Sequence, residues 1–87
     1  MTRDEIIHLI RTHLAEELNL DPASVHEDTR FKEDLAADSL DLYTLVQELE
    51  DSYGVKMSDE EASRIHTVRQ AVDFVLARHQ ADPEPRP

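Results

Sequence analysis

Asp38, Ser39 and Asp41 bring a hydroxyl and two carboxylates to the point where the sequence pattern changes. Before them the chain has no sustained period. After them apolar residues recur at helical spacing. Asp38 suits a helix N-cap, because its carboxylate accepts hydrogen bonds from the first free backbone N–H groups. Ser39 then falls in the first turn with its hydroxyl outward. A helix N-terminus favours negative charge, so a phosphate on that hydroxyl would be well placed. The neighbouring residues supply no general base, which a nucleophilic serine needs. Ser39 therefore reads as a hydroxyl modified by another enzyme. Serine at a helix start needs no function by itself; the flanking pattern singles this one out.

The elements that must hold this serine are all helical. Thr2 and Glu5 form a capping box, and Ile6, Ile7, Ile10, Leu14 and Leu18 follow at helical spacing. Asn19 to Asp21 end that helix, and Asp21-Pro22 opens a short turn reaching Val25. Residues 26–37 form a long connection that Phe31 and Leu35 pin to the core. The second helix is predicted from Ser39 to about Tyr53, with Leu42, Leu45, Val46, Leu49 and Tyr53 as its stripe and Gly54 at its end. Val55 and Met57 pack the next connection. Ser58 and Glu61 cap a short third helix through about Arg64, with Ala62 and Ile65 inward. Thr67 and Gln70 cap the last, whose stripe is Val68, Ala71, Val72, Val75 and Leu76. The fold expected is an all-α, small four-helix bundle: three longer helices, a short third helix and a long first loop. Residues 1–80 make the domain, and residues 81–87 a disordered, proline-rich tail.

Composition narrows the function. The 87 residues include 20 acidic and 9 basic side chains, a net charge of −11 with histidine neutral. Such a chain has little with which to neutralise phosphates, which argues against nucleic acid. Residues 38–61 hold eight carboxylates against the single base Lys56. A solvated face explains part of that run. A surface that docks on basic proteins also explains why the charge follows the modifiable serine. There is no cysteine, so any thioester chemistry needs sulfur from an attached cofactor. No run is long enough to span a membrane, and the first residues lack a signal-peptide layout. The expectation is a soluble, cytoplasmic monomer. His8 and His13 are five apart and do not share a helix face; His26, His66 and His79 are scattered. Neither metal-ligand spacing nor a calcium loop is present, and no catalytic group is read.

The ordered set Phe31-Lys32-Glu33-Asp34-Leu35-Ala36-Ala37-Asp38-Ser39-Leu40-Asp41 resembles the acyl carrier protein family. The resemblance extends from about Arg3 to Leu76, through Leu49-Glu50-Asp51, Tyr53-Gly54-Val55, Asp59-Glu60-Glu61-Ala62 and Thr67-Val68. It implies a freestanding carrier whose Ser39 bears a covalent 4'-phosphopantetheine arm from coenzyme A. The arm's thiol holds acyl intermediates of fatty acid or polyketide synthesis as thioesters. It implies that Asp38 helps place Mg2+ while a phosphopantetheinyl transferase attaches the arm. It also implies that Leu40, Asp41, Tyr43, Gln47 and Glu48 face acyl-transfer and condensing enzymes with basic docking surfaces. Glu60 and Glu61 extend that acidic surface. Some sequestration of the acyl chain between the second and third helices is expected.

Three positions depart from the family's habit. Ala36 stands where glycine is usual, so the loop is expected not to need positive φ there. Met57-Ser58 replaces a frequent Ile-Pro, with Ser58 able to cap instead. Tyr43 stands where smaller or aliphatic residues are usual. Two alternatives remain: a specialised carrier for an amino acid or a dedicated acyl starter, and an unmodified acidic helical adaptor that only binds proteins.

Overall fold

Each helix begins at a side chain that closes its own first turn. The computed structural model describes residues 2–81. Its helices are α1 (Arg3–Leu18), α2 (Ser39–Tyr53), α3 (Asp59–Ser63) and α4 (Val68–Ala81). In α1 the Thr2 hydroxyl accepts the Glu5 N–H at 3.2 Å, and the Glu5 carboxylate accepts the Thr2 N–H at 3.1 Å. The same reciprocal box closes α3 through Ser58 and Glu61, and α4 through Thr67 and Gln70. These boxes satisfy N–H groups that have no intrahelical acceptor. α4 runs to Ala81, one residue past the expected domain boundary. Residues 82–87 of the expected tail lie outside the described residues.

The expected stripes form the core. Ile6, Ile10 and Leu14 of α1, Leu45 and Leu49 of α2, and Val68, Ala71, Val72 and Val75 of α4 are all buried. α1 packs on α4 and α2, and α2 packs on α4. α3 contributes no fully buried side chain. It is attached through half-buried Ala62 and through Ile65 just beyond it.

The long connection is ordered by what it buries and what it bonds. Pro22–Ser24 make one 3-10 turn capped by Asp21. Val25 and Phe31 then enter the core completely, and Ala37 almost so. Arg11 Nε–H donates to the Val25 carbonyl at 2.8 Å. The Thr29 hydroxyl, buried, accepts the His26 N–H at 2.8 Å. Three backbone bonds tie the loop to the start of α4: Phe31 N–H to His66 C=O (2.9 Å), Val68 N–H to Thr29 C=O (3.1 Å) and Arg69 N–H to Glu27 C=O (2.8 Å). An ionic cluster lies beside them. Arg3 pairs with both Glu27 and Asp73, while Arg69 reaches Asp28 at 2.9 Å and Glu27 at 3.7 Å.

One expectation is overturned here. Ala36 adopts φ +57, the left-handed region, so the loop does need positive φ at that point. The turns from Phe31 to Leu35 have to stop abruptly for Ala37 to be buried and Asp38 to reach its capping position. Ala36 does this: its N–H bonds Lys32 C=O at 3.1 Å, and the Ala37 N–H bonds Phe31 C=O at 2.9 Å. An alanine there carries a Cβ clash that glycine lacks, worth about 1–2 kcal/mol. Asn19 (φ +55) and Gly54 (φ +67) take the same conformation at the ends of α1 and α2, with side chains better suited to it.

Two predictions follow from this loop. Ala36→Gly should stabilise the fold by about 1 kcal/mol, net of the added freedom of the unfolded chain, raising Tm by roughly 4–8 °C for a domain of this size. Thermal unfolding measures it, and a lowered Tm would contradict the strain argument. The second concerns Glu27. The Arg3 guanidinium bonded to it, with Arg69 nearby, holds its carboxyl below the usual glutamate value of 4.5. A depressed folded pKa means this stabilisation is complete above that value and is lost as pH falls through the lower, folded one. Glu27→Gln should therefore melt below the parent at neutral pH, with the gap closing as pH drops below 4.5. A gap that stays constant with pH would exclude this linkage.

Candidate functional site

The start of α2 is held by carboxylates on both sides of Ser39. Asp38 has extended backbone (φ −96, ψ −177), and its Oδ1 accepts the Asp41 N–H at 3.0 Å. Asp41 Oδ2 accepts the Asp38 N–H at 3.1 Å. This is a fourth capping box. The sequence reading missed it because aspartate, rather than the usual glutamate or glutamine, closes it. Thr44 Oγ–H adds a bond to the Asp41 carbonyl at 2.9 Å.

Ser39 is the first residue of α2 and is exposed. Among the described residues its hydroxyl has no hydrogen-bond partner. The N–H groups of Ser39 and Leu40, first in the helix, have no intrahelical acceptor either. His66 lines the same cleft as Ser39, but among the described residues its hydrogen bonds come from its backbone: the N–H to Gln70 Oε1 at 2.7 Å and the carbonyl from the Phe31 N–H at 2.9 Å. Among the described residues, the serine therefore has no base within hydrogen-bond reach.

That cleft has a volume of about 260 Å³ and opens between α2 and α3. Its inner lining is Leu42, Val46, Ala62 and Ile65, all at least half-buried. Its rim is exposed: Ser39 and Tyr43 on α2, Asp59 and Ser63 on α3, Lys32 and His66 from the connections. Lys32 and His66 at this rim were not singled out from sequence. Both come from connections, whose placement no periodic pattern reports.

Comparison with known proteins bears on this geometry. A family model described as "Phosphopantetheine attachment site" matches residues 8–75. An acyl carrier protein of Rubrobacter xylanophilus is 44% identical over 81 residues, which are 93% of this chain and 100% of the relative. One of Thermosynechococcus vestitus is 40% identical over 75 residues, covering 86% of this chain and 93% of the relative. The chain belongs to the acyl carrier protein family. It carries acyl groups, and its prosthetic group is 4'-phosphopantetheine. Solved acyl carrier proteins from Enterococcus faecalis and Thermotoga maritima share the fold, with TM-scores of 0.77 and 0.78 at 35% and 32% identity. Each match covers 90% of this chain, and 99% and 91% of the respective structure.

The start of α2 fits such a group. An exposed, unpartnered hydroxyl and two free N–H groups suit a phosphodiester, and the apolar cleft beside them suits a chain. The Asp38 and Asp41 carboxylates oppose a further negative charge there. The exposure of Ser39 and the positive end of the helix offset that repulsion.

The surface residues expected to meet partners of this carrier separate into two sets. Leu40, Tyr43, Gln47 and Glu48 are exposed along α2, and Glu48 accepts the Ser52 Oγ–H at 3.0 Å. The others already have work inside the fold. Asp41 closes the capping box. Glu60 pairs with Arg64 at 2.9 Å. Glu61 accepts the Ser58 N–H at 2.9 Å and pairs with Arg78 from α4. The Ser58 bond first, then Arg78, holds the Glu61 carboxyl below its usual range. Glu50 likewise turns inward to accept the Met57 N–H at 2.8 Å. Among the described residues no three His, Asp or Glu side chains cluster so as to hold a metal ion.

Proposed function

We propose that Ser39 is the attachment residue, and that this protein is a freely diffusing, cytoplasmic carrier for fatty acid or polyketide synthesis, without catalytic activity of its own. The observation that carries the proposal is the Ser39 hydroxyl: exposed, unpartnered, on the first turn of a capped helix and on the rim of an apolar cleft. In the attachment step Ser39 Oγ gives up its proton and forms a phosphodiester to the phosphopantetheine half of coenzyme A, whose nucleotide half leaves. Asp38 helps place the Mg2+ that a phosphopantetheinyl transferase brings to that step. Once bound, the group supplies the thiol on which acyl chains ride as thioesters.

The chain's own residues do the rest. The capping box fixes the backbone that carries the hydroxyl. The cleft between α2 and α3 offers an acyl chain a place away from water. The α2 surface carries Glu48 and Gln47 outward beside Leu40, which suits basic enzyme surfaces with a small apolar centre. Encounter through such rim charges is fast and reversible, as a carrier visiting successive enzymes requires.

Intact mass, taken before and after incubation with coenzyme A, Mg2+ and a promiscuous transferase, tests the attachment residue. The parent should gain one phosphopantetheine, and Ser39→Ala should gain none. Since Ser39 is exposed, the variant should keep its stability to within about 0.5 kcal/mol. A modified Ser39→Ala would sink the assignment.

Docking is tested by charge reversal. Glu48→Lys should slow encounter with the transferase, and more so at low salt, because screening reaches about 10 Å at 0.1 M ionic strength. Asp41→Lys should behave differently. It also breaks the capping box, at about 1 kcal/mol, so part of its loss should persist at high salt. Equal, salt-independent losses in both variants would count against electrostatic docking.

A further inference from the structure

Two large apolar side chains stand exposed on α2, Leu40 at 68% and Tyr43 at 55%. Tyr43 lines the cleft and Leu40 does not. Tyr43 follows Ser39 by four residues, so hydroxyl and ring share a helix face one turn apart. The ring is the bulkiest apolar group on the rim. Behind it lie Leu42 and Val46, and across the cleft lie Ala62 and Ser63 of α3. Cargo on an arm that starts at Ser39 enters the inner lining from the rim on which Tyr43 stands.

We propose that Tyr43 is a specificity-determining residue of this carrier: its ring narrows the cleft mouth and sets the length of acyl chain that the cleft shields. The inference rests on Ser39 as the attachment residue. The volume of about 260 Å³ gives the scale. At roughly a water's 30 Å³ per methylene, a sixteen-carbon chain exceeds that volume and leaves more of itself outside than an eight-carbon one does. Truncating the ring widens the mouth and extends the apolar surface that a long chain can cover. Its first expected consequence is a change in selectivity between chain lengths once the protein is fully loaded.

The test uses the full chain loaded from octanoyl- and hexadecanoyl-coenzyme A by a promiscuous transferase. Intact mass verifies loading, and the rate of thioester cleavage by hydroxylamine reads shielding. In the parent, the octanoyl thioester should be cleaved more slowly than the hexadecanoyl one. In Tyr43→Ala the ratio of hexadecanoyl to octanoyl rates should fall about fourfold, the equivalent of one more buried methylene on the longer chain. Tyr43→Phe, which keeps the ring, should retain the parent's ratio. An unchanged ratio in fully loaded Tyr43→Ala would overturn this inference alone, as would a Tyr43→Phe that shifts as far as Tyr43→Ala. Failure of the parent to load at Ser39 would instead overturn the attachment reading, and this inference with it.

Discussion

Everything that this protein presents to other molecules depends on where α2 begins. That position is set by two backbone devices in succession. Ala36 reverses the chain through the left-handed region, and two residues later Asp38 and Asp41 exchange hydrogen bonds across the first turn. Ser39 lies between them. A start displaced by one residue would rotate every α2 side chain by about 100°. Leu45 and Leu49 would then leave the core, and Ser39 and Tyr43 would leave the cleft. Burial of Ala37 on one side and of Leu45 on the other leaves little freedom for such a slip. The strain at Ala36 is tolerated because the surrounding structure over-determines the turn.

Charge distribution follows the same division. α2 contains no lysine or arginine. Arg3, Arg30, Arg64, Arg69 and Arg78 all pair with carboxylates in the loop, α3 or α4. Arg3, Arg69 and Arg78 thus fasten the long connection and α3 to the bundle. Among the described residues, the α2 carboxylates Asp41, Glu48, Glu50 and Asp51 have no cationic partner. The negative field therefore extends outward from the helix that bears the serine. This is a stronger argument for docking than net charge, since a net charge could equally have been spread over all faces.

The helices were legible in the sequence because each rests on a short, local rule. A capping residue, a partner three positions on and a 3.6-residue stripe determine where a helix starts and which side it buries. α1, α2 and α4 follow these rules with little deviation. What sequence failed to report was conformation and direction at single residues. Alanine at position 36 invited the inference that φ stays negative, but residue type only biases φ, and the need to bury Ala37 outweighs that bias. Glu61 and Glu48 look alike in sequence. One meets Arg78, seventeen positions away, and the other faces solvent. Lys32 and His66 reach the cleft rim only because three backbone bonds bring the loop against the start of α4, and long-range pairing of this kind leaves no periodic trace.

α3 is held differently from the other helices, and this bears on how a cargo can enter. Five residues are too few for a helix to be stable by its own hydrogen bonds. Without a fully buried side chain of its own, α3 depends on contacts at its ends. Met57 N–H bonds the Glu50 carboxylate before it, Ser58 and Glu61 close its first turn, and Arg78 pairs with Glu61 while lying 4.8 Å from the Phe74 ring. Polar contacts near the surface yield at lower free energy than a packed core does. The α3 wall of the cleft is therefore held less firmly than α1, α2 and α4, which pack on one another. Ser39 and Tyr43 stand on the fixed wall, anchored through Leu45 and Leu49. An entering chain would thus meet one rigid surface, which positions the hydroxyl and the ring, and one yielding surface, which adjusts to the chain's bulk.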